Sequence, residues 1–130
     1  MGLFGLFGSN KDNSEREQKE LPWKRLTSVD QLSQIVAESK TKPVAIFKHS
    51  TRCGISRMVL RNFEGTYDLD PENMHLYYLD LLAYRDVSDE VGFRFQVLHQ
   101  SPQLIVIKNG VAVAHASHHG IRAEELVNFV

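Results

Sequence analysis

Pro43-Val44-Ala45-Ile46-Phe47-Lys48-His49-Ser50-Thr51-Arg52-Cys53-Gly54-Ile55-Ser56 is the stretch whose reading decides the fold. Pro43 to Phe47 is a short apolar run after a break, which suits a buried strand. Lys48 to Arg52 reads as a polar loop. A helix then starts at or just after Cys53, carries Ile55, Met58, Val59 and Phe63 on its inner face, and stops at Gly65. Cys53 is the only cysteine of the chain. At a strand-to-helix junction a thiol meets converging backbone N–H groups and the positive end of the helix dipole, which favours the thiolate. Free cysteines are among the most buried residue types, but a polar loop is a poor place to hide one.

Upstream, Ser28 and Gln31 have the spacing of a capping box, and Val29, Leu32, Ile35 and Val36 follow on one helical face to about Lys40. Order is expected from about Leu21, with Trp23 plugging the edge of a core. Residues 1–20 read as a disordered tail, because Ser9 to Glu20 is polar with little to bury. The apolar Leu3, Phe4, Leu6 and Phe7 precede that segment. The ordered domain is therefore 21–130.

Downstream, Asp70-Pro71-Glu72-Asn73 is a turn cluster and Met74 to Leu79 a second strand. Val87, Val91 and Phe95 mark a helix over about 86–95, weakened in its interior by Gly92. Gln103 to Lys108 is a third strand. Asn109-Gly110 is a hairpin signal, and Val111 to Ala116 returns as the fourth strand. Ile121 to Val130 closes the chain as a helix with Leu126, Phe129 and Val130 facing inward. The fold class is α/β: a small mixed four-stranded sheet with helices on both faces.

The 130 residues suffice for one domain with a core. A formal net charge of −1 without a basic block gives no reason to expect nucleic-acid binding. One cysteine excludes an internal disulfide framework. No apolar run approaches the roughly 20 residues of a membrane span, so no stable membrane insertion is expected. Met1 to Gly8 lacks the basic flank of a signal peptide and, with Leu6, fails the myristoylation pattern. The cytoplasm is the expected location.

Phe47 to Ser56 together with Gln100-Ser101-Pro102-Gln103 resembles the thioredoxin-like fold, and within it the monothiol bacilliredoxin family. The resemblance covers roughly residues 27–130, and Lys108-Asn109-Gly110 is similar to the hairpin of thioredoxins. It implies a redox protein that removes bacillithiol from S-thiolated cysteines, with the active cysteine at Cys53 and a cis-proline at Pro102. Where dithiol relatives have Cys-x-x-Cys, Ser56 stands at the second place, and a hydroxyl cannot resolve a mixed disulfide. Cys53-Gly54-Ile55-Ser56 also resembles the Cys-Gly-Phe-Ser of monothiol glutaredoxins. Those imply a [2Fe–2S] cluster carried between two chains, with Ile55 departing from their pattern.

Around Cys53, the supporting residues expected are Arg52, Gly54, Ser56, Ser101, Pro102, His118 and His119. Arg52, with Lys48 and Arg57, is a cation near the thiol, or a solvated charge. Gly54 permits close approach of a substrate, or merely opens the helix. Ser56 is one turn from Cys53 and either donates to its sulfur or is an exposed helix serine. The backbone of Ser101 is expected to offer hydrogen bonds to an extended ligand. The last strand returns toward the cysteine end, which should bring His118 and His119 near Cys53, to tune the thiolate or bind a ligand carboxylate. Solvent exposure is the default for all six histidines, His49 included, and no metal site is expected. The expected activity is monothiol thiol–disulfide exchange with no bound cofactor, using bacillithiol or a similar low-molecular-weight thiol as co-substrate. The expected partners are S-thiolated proteins and a small thiol or thiol reductase, acting on a monomer. A cluster carrier and a non-catalytic binding module are the alternatives.

Overall fold

The computed structural model describes residues 21–130. The expected tail, with Leu3, Phe4, Leu6 and Phe7, lies outside them. The elements run β1 (Trp23–Arg25), α1 (Gln31–Glu38), β2 (Val44–His49), α2 (Gly54–Thr66), β3 (His75–Asp80), α3 (Arg85–Phe95), β4 (Gln103–Lys108) and β5 (Val111–Ser117). Two 3₁₀ segments, His118–Gly120 and Ala123–Phe129, end the chain.

The five strands form one sheet in the order β1-β3-β2-β4-β5. β1 and β2 lie parallel to β3, β4 is antiparallel to β2, and β5 is antiparallel to β4. The four-stranded expectation thus falls one strand short. Trp23–Arg25 pairs with Leu76–Tyr78, but three residues are too few to display an alternating pattern. Trp23 packs against Phe47 and Phe63 and donates its indole N–H to Glu64 at 2.8 Å.

Alternation along the strands divides the core into two layers. Val44, Ile46, Tyr77, Leu79, Ile105 and Ile107 face Leu32 and Ile35 of α1 and Val87, Val91 and Phe95 of α3. Ala45, Phe47, Leu76, Leu104 and Val106 face Val59 and Phe63 of α2 and Leu126 near the C-terminus. β2 is buried along its whole length because both faces are covered and both edges paired.

Several boundaries differ from the sequence reading. α1 begins at Gln31, with Asp30 at the N-cap position. The capping box is half built: Gln31 Oε1 accepts the N–H groups of Thr27 and Ser28 at 2.7 and 3.0 Å, while no cap bond comes from a side chain at Asp30. On α2 the inner face is Ser56, Val59 and Phe63. Ile55 and Met58, expected inside, are 51% and 54% exposed. The helix can turn Ser56 inward because its hydroxyl finds partners there, as described below.

At Gly92 an added Cβ would lie 3.1 Å from the Val97 carbonyl, so the missing side chain makes room for the chain to fold back after α3. Asn109 and Gly110 have φ of 52° and 80°, as the two-residue hairpin requires. Ser39 holds that hairpin against α1, accepting N–H bonds from Asn109 through its carbonyl and from Gly110 through its hydroxyl. The closing segment is 3₁₀ rather than α-helical, and Val130 is 52% exposed instead of facing inward. Among the described residues no helix is long and apolar enough to cross a membrane.

Candidate active site

The C-terminal end of β2 gathers the chemistry-bearing residues. Its last partners are Asp80 on β3, opposite His49, and Gln103 on β4, opposite Lys48. After His49 the chain makes a tight turn in which the Cys53 N–H donates to the Ser50 carbonyl at 3.1 Å. Cys53 is extended, with φ −100° and ψ 122°, at the N-cap position of α2, and its own carbonyl accepts the Arg57 N–H at 3.0 Å. Cys53 is half-buried, between exposed Thr51 and Arg52 on one side and exposed Gly54 and Ile55 on the other. The Arg57 guanidinium donates to the Thr51 carbonyl at 3.2 Å and ties the turn to the helix.

Ser56 is fully buried. Its Oγ lies 2.8 Å from His49 Nδ1 and accepts the Ser50 N–H at 3.1 Å. Its bonds therefore go to the strand and turn beneath Cys53, and it is not an exposed serine. His49 is buried as well, contrary to expectation. Burial pushes the imidazole pKa below its ordinary value; the Asp80 carboxylate opposes that shift and Arg57 adds to it. A neutral imidazole can accept from the Ser56 hydroxyl at Nδ1, so that this hydroxyl donates to His49 while its oxygen accepts from Ser50.

Lys48 departs furthest from the sequence reading. It belongs to the strand, not to a loop, and its side chain is fully buried. Nζ donates to the Ser88 carbonyl at 3.3 Å and lies 3.3 Å from His99 Nδ1. Burial lowers its pKa to about 8, with Asp89 pulling the other way. It continues the alternation of Val44 and Ile46 onto the α3 face, a signal that an apolar-run rule discards at the first charge.

The peptide bond between Ser101 and Pro102 is cis. Pro102 is buried directly before β4, and its carbonyl accepts the His118 N–H at 3.1 Å. Cys53, Ser101, Pro102 and His118 thus come from segments that meet at one end of the sheet. Ser101 Oγ is buried without a hydrogen-bond partner among the described residues. The imidazoles of His118 and His119 line a cleft along the second and third turns of α2, with Met58, Arg61 and Asn62. Arg61, Asn62, Ser88 and His99 carried no signal in the sequence beyond their residue type. Among the described residues no group of three or more His, Cys, Asp or Glu side chains converges to hold a metal ion.

A protein-family model described as monothiol bacilliredoxin BrxC matches residues 24–126. Among solved structures, a candidate oxidoreductase with a thioredoxin fold is 31% identical, with a TM-score of 0.70 over 88% of this chain and 96% of its own. Thioredoxin from Malassezia sympodialis is 24% identical with a TM-score of 0.61, over 81% of this chain and 84% of that one. Thioredoxin from Fasciola hepatica is 17% identical with a TM-score of 0.61, over 82% and 94%. These two establish likeness of fold alone.

Proposed function

The chain belongs to the monothiol bacilliredoxin family, and from that premise we propose that it removes a low-molecular-weight thiol, bacillithiol in the first instance, from S-thiolated proteins. The Cys53 thiolate attacks the small-thiol sulfur of the protein mixed disulfide. A bond forms between Cys53 Sγ and that sulfur, the original S–S bond breaks, and the protein thiolate leaves and takes a proton from solvent. A second molecule of low-molecular-weight thiol, as its thiolate, then attacks the adduct on Cys53. It departs as the symmetrical small disulfide and returns Cys53 to the thiolate. One disulfide is consumed and one formed in the cycle, so the electrons balance.

The observation that carries this reading is a single half-buried cysteine at the start of α2, with a buried serine where a resolving cysteine would stand. Ser56 cannot attack the adduct, so the second step must come from outside the chain. Arg52 and Gly54 flank the sulfur and leave its approach open. In this reading the backbone of Ser101, at the same end of the sheet, offers its polar groups to the ligand, while the Pro102 carbonyl is taken by the His118 N–H. The working unit in this reading is a monomer in the cytoplasm, where small thiols keep cysteines reduced. The test is release of bacillithiol from an S-bacillithiolated reporter protein, followed by mass spectrometry of the enzyme. An adduct on Cys53 that a second thiol clears supports the reading. Reporter release with no adduct ever detectable on Cys53 would refute it.

A further inference from the structure

A cleft of about 500 Å³ lies between α2 and the turn that follows β5. Arg61 and Asn62 line it from the helix, His118 and His119 from the turn, and Met58 stands toward the cysteine end. None of its lining residues is acidic. The wall therefore offers a guanidinium, an amide and two imidazoles, a donor set that suits carboxylate oxygens.

Two features indicate that the turn is held in place. His118 has φ 54°, a left-handed conformation that is uncommon for a residue with a side chain. Its N–H is bonded to the Pro102 carbonyl, so the turn is anchored to the cis-proline segment at the same end of the sheet as Cys53. The helix sets the distance: at about 1.5 Å per residue, Met58 lies about 8 Å and Asn62 about 14 Å along the axis from Cys53. A tripeptide-sized thiol extends over about 10 Å. Exposed Ile55 and Met58 supply apolar surface near the sulfur and along the way.

We propose that this cleft binds the carboxylate-bearing arm of the small thiol while its sulfur is engaged at Cys53, with Arg61 as the principal contact. The proposal rests on the reading of Cys53 given above, and it adds a specificity subsite made of Arg61, Asn62, His118 and His119. A thiol without carboxylates would gain nothing from the cleft.

The test uses S-methyl derivatives, which bind without exchanging, and follows the Arg61 Nε–H and Asn62 side-chain amide signals by NMR in the full-length protein. S-methyl bacillithiol, a dicarboxylate, is expected to shift both signals saturably, and S-methyl cysteamine, which has no carboxylate, to leave them in place. Arg61→Gln should weaken binding of the first by about tenfold, the loss expected for one charge-assisted hydrogen bond, with Arg61→Lys in between. Shifts confined to residues around Cys53 and Pro102, or unchanged affinity in Arg61→Gln, would overturn the assignment. So would an acidic hexapeptide that moves the same signals as strongly, because the cleft would then read the protein rather than the thiol. De-thiolation is measured separately with the wild type. Its absence beside intact shifts would end the reading of Cys53, whereas turnover without shifts would end only the assignment of the cleft.

Discussion

Lys48 and His49 are neighbours on one strand, both buried, and they face opposite layers of the core. On the α2 side, the Ser56 hydroxyl joins His49 to the Ser50 N–H within the turn and first helical turn that hold Cys53. On the α3 side, Lys48 places an amine against the Ser88 carbonyl and His99, while Ser88 Oγ has no partner among the described residues. The first arrangement is neutral and bonds the Ser56 hydroxyl as both donor and acceptor, so it fixes the turn that carries the sulfur. The second holds a charge at a cost, since desolvating an ammonium with two weak partners is not repaid. The end of the central strand thus separates a precise polar scaffold from an energetically expensive cation.

The largest effect should fall on the α2 side. Cys53→Ser is expected to abolish release of bacillithiol from a reporter protein while leaving stability within about 1 kcal/mol, as suits a half-buried site. Lys48→Met should keep the rate within about threefold. Loss of activity in both variants alike would erase the functional division between the layers, and stopped-flow exchange assays read it directly.

Ser56→Ala comes next. It strips the hydroxyl from between two buried polar groups, which should cost about 2 kcal/mol in urea unfolding. Ser56→Thr keeps an oxygen but adds a methyl in a filled site, and should recover only part of the loss. Equal stability of Ser56→Ala and wild type would mean that the scaffold beneath Cys53 contributes nothing.

The third effect reverses sign on the other layer. Lys48→Met should raise stability at pH 7 by roughly 1–3 kcal/mol, because a buried charge is replaced by an apolar chain of similar length. In the unfolded chain the amine keeps its proton to an ordinary pKa of 10.5, and in the folded protein it loses it at about 8. Between those values the unfolded state binds more protons, so wild-type stability rises with pH and the advantage of Lys48→Met shrinks. Buried Tyr67 and Tyr77 and half-buried Tyr78, whose pKa values are raised, act oppositely in alkali. The difference between the two proteins between pH 7 and 9.5 removes their contribution. A constant difference over that range would show that Lys48 is not the group titrating.

The contrast between the layers also explains what the sequence made legible. Val87, Val91 and Phe95, the Asn109-Gly110 turn and the parallel crossover through α2 follow from local periodicity and turn chemistry, and the structure has them. The place of Cys53 at the start of α2 was legible for the same reason, since a junction is visible from its two flanks. Lys48 and His49 were not, because residue type suggested solvent and only the pairing of β2 on both edges buries them. Ile55 and Met58 misled in the opposite direction, because an apolar residue next to Cys53 looks like core until Ser56 is known to be bonded inward. Trp23–Arg25 became a strand only through its pairing with β3, a long-range contact that no window of sequence contains.

The smallest effect belongs to His49, and it tests the neutral state of the α2 layer. Its pKa is lowered, chiefly by burial, so the unfolded chain takes up a proton first as pH falls from 6.5. Stability should therefore drop on the acid side, and His49→Gln should make that part of the profile shallower, leaving the share of His75 and His99, whose pKa values burial also lowers. Asp80 works against the shift, so neutralising it should deepen the acid loss of a protein that still has His49. Asp80→Asn is the useful variant because it retains an oxygen for the Leu82 and Ala83 N–H groups, which Asp80 Oδ1 accepts at 3.1 and 3.3 Å. If Asp80→Asn, His49→Gln and wild type all lose stability in parallel between pH 6.5 and 5, the His49 imidazole is not the responsible group, and His75 and His99 carry the change. A steeper fall in Asp80→Asn, abolished when His49→Gln is added, would show that the imidazole beneath Cys53 is held neutral against a carboxylate that favours its charge.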